Sequence, residues 1–63
     1  MQFHIQNMTC GGCAKSVTRA IHSVDPEASV TAYTANRRVN VVSTAEPAKL
    51  RQALSAAGYP PAS

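Results

Sequence analysis

The spacing of the apolar residues alternates between two periods along the chain, and this pattern constrains the fold more than any other feature. Residues 3–6, 30–34 and 39–41 follow the two-residue period of strands with one buried face, whereas residues 14–24 and 47–57 follow a helical period. The predicted order is therefore strand, helix, strand, strand, helix. This order predicts an α+β, ferredoxin-like βαββαβ sandwich with an antiparallel sheet and both helices on one face.

Two breaks in the pattern predict where the first three elements end. We expect the first helix to begin at or just after Cys13 and to stop at residues 25–27, because Pro26 cannot continue a helix. Residues 35–37 are predicted to form the hairpin turn between the second and third strands. Within it, Asn36 is a residue that tolerates a positive φ angle.

The second helix and the C-terminal tail carry their own boundary signals. Ser43 and Thr44 are candidate N-caps, and Gly58 is a natural C′ residue in the left-handed conformation. Pro60 and Pro61 donate no backbone hydrogen bonds, so the fourth strand is expected to be short or missing.

The size and charge of the chain exclude several functions. Its 63 residues predict a single domain, 1–63, with a small core that has no room for a deep substrate cavity. A net charge of +3 without a dense basic stripe argues against a nucleic-acid partner. Neither a signal peptide nor a membrane-spanning stretch is apparent, which predicts a cytoplasmic protein without membrane insertion.

The two cysteines, Cys10 and Cys13, form a C-x-x-C motif and are the strongest chemical signal. In a reducing compartment they are expected to be thiols, and the start of a helix favours their thiolate forms. Lys15 adds positive charge nearby. Gly11 and Gly12 are expected to form a pliable loop in which unusual φ and ψ angles bring both sulfurs to one point.

The number of ligands narrows the choice of metal. Structural zinc needs four ligands, but His22 lies about 13 Å along the helix from Cys13 and His4 lies roughly 20 Å before Cys10. Both histidines are interpreted as solvent-facing. Two thiolates alone suit Cu(I), while mercury or another soft ion remains an alternative. A dithiol redox role also remains open, although the chain is shorter than a thioredoxin-like domain and has no tryptophan.

The sequence resembles the heavy-metal-associated domains, which occur as small copper chaperones and as N-terminal modules of copper-transporting P-type ATPases. The matching residues lie in the first strand, the cysteine motif and the C-terminal turn: Phe3, Ile5, Asn7, Met8, Thr9, Cys10, Cys13 and Ala57-Gly58-Tyr59. This resemblance implies that Cys10 and Cys13 bind Cu(I) and that Met8 packs inward. Thr9 stands where zinc- and cadmium-handling members tend to carry Asp, which favours copper.

Two further positions follow from the resemblance. Asn7 replaces the usual glycine but can still adopt the left-handed conformation, so the loop is expected to be intact. Tyr59 stands where bacterial copper members commonly have a tyrosine near the metal. Its hydroxyl either donates to a cysteine sulfur or belongs to a partly buried ring that caps the core.

The resemblance also implies partners and a mechanism without catalysis. A copper chaperone would pass Cu(I) by thiolate exchange to the metal-binding domain of a copper-transporting P-type ATPase, with a copper-responsive regulator as a second partner. It would act as a monomer or a metal-bridged dimer. Met1 leads directly into the first strand and Ser63 follows the domain closely, which favours a free-standing protein.

The predicted topology brings the cysteine loop, the hairpin and Gly58-Tyr59 to one end of the domain. Four basic residues are expected to form a rim around this end and to steer an acidic partner: Lys15, Arg19, Arg37 and Arg38.

Overall fold

The computed structural model describes residues 1–62 and has the predicted element order. The elements are β1 (Gln2–His4), α1 (Gly11–Val24), β2 (Ser29–Tyr33), β3 (Arg38–Val42) and α2 (Pro47–Ala56). The three strands form one antiparallel sheet in the order β1-β3-β2. This is the predicted α+β ferredoxin-like arrangement.

The fourth strand is missing from the described residues, as expected. The chain after α2 nevertheless returns to the outer edge of β1, where the Ala62 N–H donates to the His4 carbonyl at 2.7 Å. Pro60 and Pro61 precede this contact and supply no N–H groups, so one bond does not extend into a ladder.

The core lies between the sheet and the two helices, and all five elements or their ends contribute to it. Its fully buried large side chains come from alternate strand positions, from one stripe of each helix and from the loop after β1: Phe3, Ile5, Met8, Val17, Ile21, Val39, Val41, Leu50 and Leu54. Burying a side chain of this size stabilises the fold by about 1.5–3 kcal/mol. The predicted apolar faces are therefore the faces that the fold buries.

The hairpin turn falls at the predicted residues, and the residue with the positive φ angle is Arg37, at 55°, and not Asn36. The Arg37 N–H donates to the Thr34 carbonyl at 3.2 Å, and the Arg37 carbonyl accepts from the Ile5 N–H at 2.8 Å. The left-handed residue is thus the last of the turn, where it aims its carbonyl at the end of β1.

The predicted N-caps of α2 were wrong. The helix begins at Pro47, and its N-cap, Glu46, makes no side-chain capping bond. Ser43 instead donates its hydroxyl proton to the Asp25 carboxylate at 2.5 Å and accepts from the Ala45 N–H at 3.0 Å. Its hydroxyl joins the end of β3 to the end of α1, and because α2 begins only at Pro47, Ser43 lies too early in the chain to cap it.

The two histidines are less exposed than expected. His22 is half-buried, and its Nε2 lies 2.9 Å from the Ala28 carbonyl oxygen. Because a carbonyl only accepts, Nε2 is the donor in this bond. His4 is half-buried on β1. Among the described residues, no helix has the length and apolar character needed to cross a membrane.

Candidate metal site

Both cysteines lie at the N-terminus of α1. The helix begins at Gly11, two residues earlier than predicted, so that Cys10 is its N-cap and Cys13 lies in its first turn. The Cys13 N–H donates to the Cys10 sulfur at 3.3 Å. Cys10 thus occupies the position that Ser or Asp usually takes at a helix start, and both sulfurs lie at the positive end of the helix dipole.

The two glycines belong to this first turn and not to a pliable loop, which corrects the sequence prediction. Neither Gly11 nor Gly12 has a positive φ angle. An added Cβ would meet nothing within 4 Å at Gly11 and only the Cys10 sulfur, at 3.9 Å, at Gly12. The glycines therefore leave the surface beside the sulfurs free of side chains, but the backbone conformation does not require them.

The cysteine sulfurs lie 2.8 Å apart and both cysteines are free. Since sulfur binds a transition metal at about 2.3 Å, two sulfurs up to about 4.6 Å apart can share one ion. Cys10 is exposed and Cys13 is half-buried. One ion can therefore reach both sulfurs from solvent.

The surroundings of Cys13 favour its thiolate. Its pKa is lowered to about 7, chiefly by the Cys10 side chain, then by the Tyr59 hydroxyl and the Thr9 backbone. Partial burial opposes this shift but does not cancel it. The same hydrogen bond to Cys13 raises the pKa of Tyr59, so the tyrosine remains protonated and can donate.

Tyr59 reaches Cys13 because of the way α2 ends. Gly58 has the expected positive φ angle, 90°, and its N–H donates to the Ser55 carbonyl at 3.1 Å. The Tyr59 N–H then donates to the Leu54 carbonyl at 2.8 Å. This is a Schellman motif, which turns the chain back over the core. The half-buried Tyr59 ring packs against the core while its hydroxyl interacts with Cys13, so the two interpretations of this residue are compatible.

The segment between β1 and α1 anchors the site to the core. Met8 is fully buried, and its N–H donates to the Ile5 carbonyl at 3.1 Å. Thr9 is exposed, and its N–H donates to the Asn7 carbonyl at 3.0 Å. Asn7 does not use the left-handed conformation that was open to it. Its side-chain amide donates to the Gly58 carbonyl at 3.4 Å and so links this segment to the end of α2.

Sequence reasoning missed Ser16 as a neighbour of the site. Its hydroxyl donates to the Gly12 carbonyl at 3.1 Å, and its proximity to the Tyr59 hydroxyl lowers the pKa of that tyrosine and partly offsets the effect of Cys13. The sequence feature that could have indicated this role is the position of Ser16 three residues after Cys13, because residues with this spacing are neighbours on the surface of a helix.

No third metal ligand lies close to the cysteines in the described part of the chain, where no three His, Cys, Asp or Glu side chains cluster. The three acidic residues lie at the opposite end of the domain, beyond the last turn of α1 and before the first turn of α2: Asp25, Glu27 and Glu46. The described residues therefore bring two sulfurs to the site and no carboxylate or imidazole beside them.

The structure separates the four basic residues of the predicted rim into two groups. Lys15 and Arg19 are exposed on α1, in the helix layer. Arg38 precedes the buried Val39 on β3, so its side chain lies on the opposite, open face of the sheet, and Arg37 lies in the hairpin. The sheet thus stands between Arg38 and the two basic residues of α1, and Arg37 lies at the end of the sheet.

Comparisons with known proteins agree with this architecture. The model of the heavy-metal-associated domain matches residues 2–60. A gold-binding protein of known structure is 44% identical, with a TM-score of 0.94, over 97% of this chain and 94% of its own. The copper chaperone Atx1 from Synechocystis, in a trimeric form, is 30% identical, with a TM-score of 0.93, over 97% of both chains.

A protein from Agrobacterium tumefaciens is 38% identical, with a TM-score of 0.86, over 95% of this chain and 94% of its own. No match was found among curated protein sequences. The family match spans all five elements and the C-x-x-C motif at the start of α1. This chain belongs to the heavy-metal-associated domain family.

Proposed function

We propose that this protein is a carrier of Cu(I), which Cys10 and Cys13 bind as cargo and release by thiolate exchange. The observation that carries the proposal is the pair of sulfurs 2.8 Å apart at the N-terminus of α1, without a third ligand among the described residues. Cu(I) prefers sulfur and accepts a coordination number of two, whereas structural zinc requires four ligands.

The surroundings of the sulfurs favour metal binding near neutral pH. Each thiol loses its proton when it binds an ion, and the lowered pKa of Cys13 reduces the cost of that step. A Cu(I) ion with two thiolates carries a net negative charge. The N-terminus of α1 and the nearby Lys15 stabilise such a charge.

Release follows from the exposure of the site. A thiolate of a partner approaches the ion from the side of the exposed Cys10 and enters before one of the first sulfurs leaves. The exchange breaks and forms metal–sulfur bonds without oxidation or catalysis, so the protein acts as a carrier and not as an enzyme. The proposed recipient is the metal-binding domain of a copper-transporting P-type ATPase, which the carrier would meet in the cytoplasm, with a copper-responsive regulator as a second recipient.

Five residues are proposed to support the two ligands. They hold the segment before α1, keep the approach to the sulfurs open or donate to Cys13: Met8, Thr9, Gly11, Gly12 and Tyr59. For docking, the proposal assigns Lys15 and Arg19 to the α1 surface, Arg38 to the open face of the sheet and Arg37 to the hairpin at its end.

The metal assignment is tested by replacing both ligands. Wild-type protein is expected to bind one Cu(I) ion in competition with a chelator under reducing conditions, whereas the Cys10→Ser/Cys13→Ser variant loses this binding. Ser23→Ala is the matched control, because Ser23 is exposed near the far end of α1. Tight, stoichiometric binding by the double variant contradicts the proposal, and sustained turnover of a model disulfide favours a dithiol catalyst.

A second candidate cargo is another soft ion, such as gold or mercury. It is favoured by the gold-binding protein, which is 44% identical over 97% of this chain. Thiolates discriminate poorly among soft ions. Parallel titrations with Cu(I), Au(I), Hg(II) and Zn(II) separate the candidates, and sedimentation of each loaded form distinguishes a monomer from a metal-bridged dimer.

A further inference from the structure

The outer edge of β2 carries backbone N–H and C=O groups that form no hydrogen bond to another described strand. β2 pairs only with β3 in the described sheet. The Val41 N–H donates to the Met1 carbonyl, so the backbone of Val41 faces β1, and its neighbours on β3 face β2. By the observed register, Ser29, Thr31 and Tyr33 pair with those neighbours. The N–H and C=O groups of Val30 and Ala32 therefore point away from the sheet.

This edge has none of the usual features that prevent another strand from adding to it. Residues 29–33 contain no charged residue, proline or glycine, and they are rich in β-branched and aromatic side chains. Natural edge strands of this kind are normally protected by lysine, proline or a bulge. β2 therefore presents a regular template for one more strand.

One flank of α1 runs beside this edge. Val24 of α1 lines a surface depression together with Lys49 and Ala53 of α2, so the side of α1 that carries Val24 faces α2. The opposite flank carries Ala14, Thr18 and His22, all half-buried. His22 donates to the Ala28 carbonyl, one residue before β2, which joins this flank to the start of the strand.

The space along this flank is open and basic. A shallow depression of about 430 Å³ is lined by Ala14, Lys15, Thr18, Arg19 and His22. On the strand side, the core-facing Val30 and Ala32 side chains remain only half-buried. A strand added to β2 would place alternate side chains against these surfaces.

We propose that the β2 edge and this flank of α1 form a docking groove for an extended, acidic peptide segment of a partner protein, which adds to β2 as an antiparallel strand. Backbone hydrogen bonds to Val30 and Ala32 supply the pairing. Carboxylates of the segment meet Lys15 and Arg19 at the rim. This is recognition by strand addition, in which the backbone gives affinity and alternate side chains give specificity.

The charges select an acidic partner over a second copy of this chain. His22 is level with Ala28. Toward the end of the domain that carries the cysteines, Lys15 lies about 10 Å from His22 along the axis of α1, and Thr31 lies about 10 Å from Ala28 along β2. An antiparallel two-fold pairing centred on Thr31 would therefore bring the Lys15 side chains of both copies together. Like charges placed side by side oppose this association.

The test uses metal-free, reduced, isotope-labelled protein at low salt, so its outcome is independent of the proposed copper site. The probe is a seven-residue peptide with blocked ends in which valine alternates with glutamate. The amide signals of Val30 and Ala32 are expected to shift most and to exchange more slowly with solvent, whereas the β1 amides do not respond. A peptide methylated on its backbone nitrogens, or with lysine in place of glutamate, is expected to bind at least tenfold more weakly.

Protein variants distinguish specific binding of the peptide at the β2 edge from non-specific attraction between opposite charges. Lys15→Gln/Arg19→Gln is expected to weaken binding about three- to tenfold, whereas the matched α2 variant Lys49→Gln/Arg51→Gln leaves it unchanged. Unshifted Val30 and Ala32 signals at millimolar peptide overturn the proposal, as does equal binding by both variants. Shifts of these amides with protein concentration alone assign the edge to a second copy and overturn it as well.

Discussion

Replacing Met8 by leucine separates a packing role from a role as a metal ligand. Met8 is fully buried beside the site, and its thioether has no exposed surface. Met-to-Leu exchange conserves volume and usually costs less than about 1.5 kcal/mol, whereas truncation to alanine leaves a cavity and costs about 2–5 kcal/mol. A domain of this size has a total stability of about 3–9 kcal/mol. Met8→Leu is therefore expected to remain folded, and Met8→Ala to be partly unfolded.

The two variants are compared by thermal denaturation and by Cu(I) competition titration. A loss of 1 kcal/mol in stability lowers the Tm of a domain of this size by about 4–8 °C, so Met8→Leu is expected to lower Tm by at most about 12 °C. Its affinity for Cu(I) is expected to stay within threefold of wild type. Met8→Ala is expected to lose affinity only in proportion to its unfolded fraction. A tenfold loss of affinity by a fully folded Met8→Leu protein would refute this reasoning, because it would assign the thioether to the ion.

Three further perturbations test the surroundings of the site and the fold. Tyr59→Phe removes a donor to Cys13, so the pH profile of Cys13 alkylation, followed by mass spectrometry, should move above its midpoint near 7; an unchanged profile would exclude the contact. Gly58→Ala forces a side chain into φ 90° and should cost about 1–2 kcal/mol in thermal denaturation; a neutral effect would contradict the strain argument. Ser43→Ala removes the main cause of the lowered pKa of Asp25. The Asp25 carboxylate stabilises the fold above its unfolded pKa near 3.9, and this contribution is lost as the pH falls through the lower folded value. The variant should therefore be less stable in urea at pH 7 and lose less stability on acidification; an equal acid response would contradict the assignment.

The order of the elements and their buried faces could be predicted from the sequence because apolar periodicity directly reflects burial. Phe3 with Ile5 and Val17 with Ile21 occupy the predicted faces of β1 and α1. Gly58 was also predictable, since the end of a helix favours glycine in the left-handed conformation. These features depend on residues that are close in sequence.

The features that were missed depend on contacts between distant residues. Arg37 takes the positive φ angle in the turn while its carbonyl bonds to Ile5 at the end of another strand. Ser43 donates its hydroxyl proton to Asp25, 18 residues earlier in the chain, and α2 begins four residues after Ser43. Ser16 gains its place beside the site only when α2 brings Tyr59 to it. A local pattern contains no information about these partners.

The separation of the core from the cysteines bears on how a cargo ion couples to folding. Within residues 1–62, no polar or charged residue is buried, and no buried side-chain polar atom lacks a partner. Cys10 and Cys13 lie at the surface end of α1, where the Cys13 N–H already caps the helix on the Cys10 sulfur. In a small zinc domain, by contrast, the free energy of metal binding is the free energy of folding. Here the apolar core and the capped helix are complete without an ion, so the proposed release of Cu(I) exchanges metal–sulfur bonds and leaves the packing of the domain intact.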